Sequence, residues 1–201
     1  MYVLQQLAPL SVLDIGKGFG KYGFLLHEYA GIDTKARPDP SRTLAEQSRC
    51  RVDAVESNPA YMWPHIPQLY INTVVGRIED CYSGLPRYDV VLMLDVIEHL
   101  ESASAAAIVR HFIAAGSTVV VSTPSRFFQQ DLYESEDERH VSFWGVREMR
   151  GLAPFMDYQP LPGGRVFVLS AKPVDIRGFG RSAIKTMRRL AHAVLVEFGA
   201  E

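Results

Sequence analysis

An apolar strand that runs straight into a glycine-punctuated turn constrains this chain more than any other feature. Val12-Leu13-Asp14-Ile15 leads into Gly16-Lys17-Gly18-Phe19-Gly20-Lys21-Tyr22-Gly23, after which a helical pattern begins. Glycine has no Cβ, so the turn can take positive φ, and the N–H groups that open the following helix can face a ligand. Three glycines at spacing two directly after a strand favour cofactor binding over plain turn chemistry. The string alone is shared by nicotinamide- and flavin-binding folds, so the rest of the chain decides which ligand is meant.

Further along, apolar runs alternate with helical patterns. Strands are expected at 11–15, 51–56, 72–75, 88–94, 117–122 and 165–171, with a weaker one at 156–160. Helices are expected at 20–30, 58–65, 101–114 and 145–152, the second opened by Asn58-Pro59 as cap and first helical residue. Such alternation predicts an α/β fold with a parallel sheet covered on both faces. Two polar stretches, 33–49 and 127–139, interrupt it, and loops that long in a compact domain are candidate lids or substrate-contacting segments. In an open parallel sheet the ligand lies beyond the carboxyl ends of the strands, where strand order reverses. Asp14, the glycine turn, Glu56, the Gly76-Arg77-Ile78 turn and Asp95 all fall at such ends.

Three segments beyond the glycine turn carry a family resemblance. They are Val52-Asp53-Ala54-Val55-Glu56, then Tyr88-Asp89-Val90-Val91-Leu92-Met93-Leu94-Asp95-Val96-Ile97-Glu98-His99-Leu100, and His140-Val141-Ser142-Phe143-Trp144 with Arg147-Glu148-Met149. With them, the chain from 11 to 171 resembles the class I S-adenosylmethionine-dependent methyltransferases, and Gly-Phe-Gly-Lys-Tyr-Gly at 18–23 is similar to the first motif of one subgroup. The resemblance implies a Rossmann-like, doubly wound, seven-stranded sheet, mostly parallel with an antiparallel last strand. It implies S-adenosylmethionine as cofactor, held by Asp14, Gly16, Lys17, Gly18, Gly20, Glu56, Ser57, Arg77, Ile78 and Asp95, with Glu56 taking both ribose hydroxyls as a bidentate acceptor. Lys17 stands where many members have Cys, Ala or Pro. Arg77 stands where many have an acid for the adenine amino group; arginine has no acceptor, so adenine reading falls to backbone near Ile78, to Glu79 or Asp80, or to stacking by Arg77.

Methyl transfer needs alignment of a nucleophile and, where that nucleophile bears a proton, a base. His99 and His140, with Asp95, are the candidate catalytic residues. Asp95, Glu98 and His99 would share one face if the chain turned helical after the fourth strand. The plain reading makes Glu98 and His99 a helix-start acid and a backbone-bonded histidine. The sharper one is a divalent metal held by Asp95, Glu98, His99 and His140, similar to the ubiquinone-pathway and small-RNA 2′-O-methyltransferases, where an ion would orient and acidify the acceptor hydroxyls.

Composition fits this reading. The chain has 201 residues and a net charge of −2, which suggests one domain and gives no signal for a polyanionic partner such as nucleic acid. No apolar run approaches the roughly 18 residues of a membrane span and no early segment reads as a signal peptide, so a cytoplasmic protein is expected. Cys50 and Cys81 read as buried free thiols. The catalytic domain is expected over 1–173, with the amino-terminal substrate cap of many relatives missing or reduced. Residues 174–201 form an extension whose 182–198 stretch carries Ile184, Met187, Ala191, Val194, Leu195 and Phe198 on one helical face and Lys185, Arg188, Arg189 and His192 on the other. That stripe is expected to pack on its own domain or on a second copy in a homodimer. The expected activity is methylation of an oxygen, or failing that a nitrogen, on a small molecule or saccharide. The alternatives are a nicotinamide-dependent Rossmann oxidoreductase, against which the absence of a Tyr-x-x-x-Lys relay speaks, and a methyltransferase-like interaction module without activity.

Overall fold

The computed structural model describes residues 1–31, 39–127 and 139–179. The most apolar runs form the centre of the sheet. β1 (Ser11–Ile15) pairs in parallel with both β4 (Val90–Leu94) and β2 (Arg51–Glu56); β2 also pairs in parallel with β3 (Thr73–Val75), and β4 with β5 (Thr118–Pro124). β6 (Phe155–Leu161) and β7 (Gly164–Ser170) make a hairpin, and β7 inserts antiparallel beside β5. The order is β3-β2-β1-β4-β5-β7-β6, a seven-stranded mixed sheet with one antiparallel strand. Strand order reverses between β1 and β4, and the site is built there.

Period-two alternation splits the core into two layers. On one face Leu13, Ile15, Val91, Met93, Val119, Val121 and Phe167 meet the long helix α6 (Ser102–Ala114) and Trp144. α6 buries Ala105, Ile108, Val109, Phe112 and Ile113, the stripe of a helix with one face on a core. On the other face Val12, Val52, Ala54, Leu92, Val120 and Val168 meet α1 (Tyr2–Leu7), α2 (Lys21–Leu26) and α4 (Ile66–Leu69). Ile176 and Phe179 are buried in this second layer, and the Arg177 carbonyl accepts from Tyr2 and Gln6 of α1.

All seven strands lie where the sequence predicts them, within two residues at each end. The helices differ more. The 20–30 helix is α2 followed by a π-helical turn at His27–Gly31. In place of a 58–65 helix there is a 3₁₀ turn at Pro59–Tyr61, capped by the Asn58 side chain, and then α4. Pro64 explains the break: it has no N–H to donate and drives Trp63 away from helical backbone. The 145–152 helix is α7 (Val146–Arg150). α1, α3 (Leu44–Gln47) and α5 (Ile78–Cys81) were not expected from the sequence. Cys50 is buried and Cys81 half-buried, and both are free. The 182–198 stripe lies outside the described residues. Among the described residues no helix is long and apolar enough to cross a membrane.

Candidate functional site

The carboxyl ends of β1, β2 and β4 surround a cavity of about 330 Å³. Its floor is the glycine turn. Gly16, Gly18 and Gly20 have φ of +68°, +52° and +93°, values that side chains beyond glycine rarely adopt. At Gly16 the need is also steric: a Cβ would lie 2.5 Å from Val96 Cγ2, while the Gly16 N–H donates to the Val55 carbonyl at 2.8 Å and ties the turn to β2. At Gly18 a Cβ would meet nothing within 4 Å, so the backbone faces open space.

Glu56 closes one wall. It is buried, and backbone N–H groups hold its two oxygens apart in role: Gly18 N donates to Oε2 and Asn58 N to Oε1, each at 2.9 Å. The carboxylate is therefore oriented by the turn, and each oxygen keeps a further lone pair for a ligand hydroxyl.

Beneath the turn lies a buried polar network. The Tyr70 hydroxyl donates to Asp14 Oδ2 at 2.7 Å and accepts from the Gly23 N–H at 3.2 Å. Burial pushes the Asp14 carboxyl up to about 7; the Tyr70 hydrogen bond and the Lys17 charge pull the other way, and the Glu56 charge adds to the rise. Lys17 is buried too, with Nζ donating to the Tyr61 carbonyl at 2.8 Å and the Gly18 carbonyl at 3.1 Å. Burial lowers its pKa, opposed by the charges of Glu56 and Asp14.

Seven of the residues expected to hold a cofactor line the cavity: Gly16, Gly18, Glu56, Ser57, Arg77, Ile78 and Asp95. Asp14, Lys17 and Gly20 do not line it. Lys17 and Gly20 belong to the turn without lining the cavity, and Asp14 lies at the end of β1 beneath it. Arg77 precedes α5 and pairs with Glu79 at 3.0 Å, so guanidinium and carboxylate stand together at the far wall. Tyr61, Asn58 and Val96 also line the cavity; the sequence marks Asn58 only as a cap and Val96 only as part of the motif after β4, and Tyr61 not at all.

The candidate catalytic residues separate into two groups. Asp95 does not enter a helix: it has φ of +56°, is exposed, and accepts from Ser122 Oγ at 2.9 Å. The chain then makes a 3₁₀ turn, Ile97–His99, that points Glu98 inward. Glu98, His99 and His140 come together, with one possible ligand atom from each within 4.8 Å of the others, and the two imidazoles lie 4.9 Å apart. Asp95 is outside that group. The His140 loop is fastened to the turn, since Val141 N and Ser142 N donate to the Glu98 carbonyl and Trp144 Nε1 to that of Ile97. Burial pushes Glu98 up to about 7. Its backbone N–H opposes the rise, the charge of Asp95 adds to it, and the Thr123 hydroxyl opposes it without closing a hydrogen bond of ordinary geometry. His99 lines the cavity; His140 is buried behind it.

No protein-family model matches the sequence, and no curated protein matches it. Many solved structures share its fold. The amino-terminal domain of EvdMO1 with S-adenosylhomocysteine bound superposes with a TM-score of 0.58 at 11% identity, over 85% of this chain and 78% of that one. The methyltransferase domain of a bacterial CtHen1 gives 0.54 at 18% identity, over 84% and 93%. Monomeric WbdD gives 0.55 at 15% identity over 89% of this chain, which spans only 40% of the WbdD chain. At these identities the likeness establishes the fold: this chain has the fold of S-adenosylmethionine-dependent methyltransferases.

Proposed function

We propose that the protein is an S-adenosylmethionine-dependent methyltransferase acting on an oxygen, or in second place a nitrogen, of a small molecule or saccharide. One observation carries this reading. The cavity at the switch in strand order pairs a bare glycine floor with a buried, backbone-oriented carboxylate, and it does so in a sheet whose seventh strand is inserted antiparallel. A dinucleotide-binding Rossmann sheet runs 3-2-1-4-5-6 without that strand, which counts against the nicotinamide alternative.

The residues fit the cofactor. Gly18 leaves open space for it to lie against backbone, Glu56 has lone pairs for two ribose hydroxyls, and Ile78, Arg77 and Glu79 form the wall for the base. When bound, S-adenosylmethionine supplies a methyl group already activated on a sulfonium. Asp95 orients the acceptor, and His99, supported by His140, receives the acceptor's proton on an imidazole nitrogen as a general base. Either histidine changed to alanine should lower turnover by about 10²–10⁴-fold while cofactor affinity stays nearly constant.

A second reading of the same residues is favoured by the grouping of Glu98, His99 and His140 around a carboxylate whose oxygens find no hydrogen bond among the described residues. Buried polar atoms are seldom left so. These three side chains would hold a divalent ion that acidifies an acceptor hydroxyl. Calorimetric titration with Mn²⁺ separates the readings: binding that is lost in His140→Ala supports the metal, and no binding together with activity unchanged by chelator leaves the base. Homodimerisation through the 182–198 stripe belongs to the same proposal.

The test of the activity class is a thermal-shift comparison of S-adenosylhomocysteine, S-adenosylmethionine, NAD⁺ and NADP⁺. A ligand at 100 times its Kd stabilises the fold by about 2.7 kcal/mol. Stabilisation by the sulfur cofactors alone is expected; stabilisation by the nicotinamides alone would make the protein an oxidoreductase, and by none an interaction module.

A further inference from the structure

A second cavity, of about 480 Å³, opens on the other side of Asp95. It lies over the carboxyl halves of β4 and β5, on the face that carries α1. Leu92 and Leu94 line it from β4, Val120 from β5, Leu4 from α1 and Val166 from β7. Its polar lining residues are few: Ser122, whose Oγ donates to Asp95, with Tyr22, Thr123 and Arg165. Asp95 lines both cavities. It is one of two residues other than glycine with positive φ among the described residues, the other being Ala8 at the end of α1. Backbone held in so sparse a conformation clusters at sites where a side chain must be aimed.

We infer that this second cavity is the acceptor site, and that it takes a compound with an aliphatic or aromatic body and a hydroxyl at one end, directed past Asp95, in preference to a saccharide. The inference rests on the reading of the first cavity as the cofactor site. Its volume falls in the range of small-molecule sites, which are mostly apolar with a few convergent polar groups. A sugar carries a hydroxyl on nearly every carbon. Against Leu92, Leu94 and Val120 those hydroxyls would lose water without gaining partners, and each buried unpaired polar group is costly. A fused or linked pair of aromatic rings with one phenol has the opposite distribution. Its rings replace water against aliphatic walls, and its single O–H is directed past Asp95 toward the first cavity, which Asp95 and His99 both line.

Protein saturated with S-adenosylhomocysteine, titrated calorimetrically with 2-naphthol, 4-hydroxybiphenyl and D-fucose, tests this. Both phenols should bind and D-fucose should not at the same concentrations. Val166→Phe, which fills the β7 wall far from the first cavity, should weaken phenol binding by about tenfold or more and leave S-adenosylhomocysteine affinity unchanged. Leu161→Trp, at the exposed rim, serves the same purpose should Val166→Phe fail to fold. D-fucose binding with phenols excluded, or phenol binding indifferent to both variants, overturns the inference. Failure of S-adenosylhomocysteine itself to bind overturns the reading beneath it and the inference together.

Discussion

Asp14 is 1% exposed, with the Tyr70 hydroxyl on one oxygen, and that burial makes stability depend on pH. Its folded-state pKa of about 7 lies above the ordinary 3.8, so between these values the native protein keeps a proton that the unfolded chain has released. Stability from this group therefore falls as pH rises through that window and levels off above about 7. Urea midpoints measured across it should fall less steeply for Asp14→Asn than for the wild type; parallel curves would mean that Asp14 ionises normally. Gly23 makes a second test. A Cβ there would lie 2.6 Å from Tyr70 Cζ, against a ring already fixed by Asp14, so Gly23→Ala should cost about 1–3 kcal/mol by overpacking, read from denaturant unfolding. The sequence showed Asp14 and Gly23 as parts of a motif, but it could not show what they touch. Tyr70 lies 56 positions from Asp14 in an unremarkable stretch, just past the end of α4, and only the fold brings its hydroxyl to Asp14 of β1 and Gly23 of α2.

The elements that were legible are those with a strong period. β1, β4 and β5 are apolar almost throughout because both faces are covered, and the motif residues at their ends followed from strand topology. Short helices were not legible, since four residues hold too little periodicity. α3 is a partial exception: Thr43 and Glu46 form a capping box, with Thr43 Oγ1 accepting from Glu46 N and Glu46 Oε2 from Thr43 N, and that Thr-x-x-Glu signature stands in the sequence. The segment after β4 misled more seriously, because helical spacing grouped Asp95 with Glu98 and His99, whereas positive φ at Asp95 sends it outward and the 3₁₀ turn sends Glu98 inward. The β1–α2 turn gives the prediction at this scale. Gly16→Ala adds both φ strain and the contact with Val96, and should destabilise by about 1–3 kcal/mol. Val96→Ala in the same chain removes the contact and leaves the strain, so it should restore part of that loss. Full restoration would show that the backbone conformation carries no cost.

For the whole molecule, the sheet gathers Gly16, Gly18, Glu56, Arg77 and Asp95 from four strand ends into one cavity, and sets a second, more aliphatic cavity against it across Asp95. The chain beyond β7 returns to α1, where Ile176 and Phe179 complete the second core layer. Truncation after Phe179 should leave that layer whole, while truncation after Pro173 removes two buried side chains worth about 1.5–3 kcal/mol each and should melt earlier. Equal melting of the two would show that 174–179 contributes nothing. Light scattering on the Phe179 truncation tests the dimer: loss of mass from two chains to one is expected if the 182–198 stripe joins copies. The central claim is that Glu56 and the glycine floor bind an S-adenosyl cofactor. Isothermal calorimetry with S-adenosylhomocysteine on the wild type and on Glu56→Ala tests it most directly. The expected result is one site per chain, weakened by about 1.5–3 kcal/mol in the variant as hydrogen bonds to a charged acceptor are lost. Equal affinity in both proteins, or heat only from a nicotinamide dinucleotide, would contradict it.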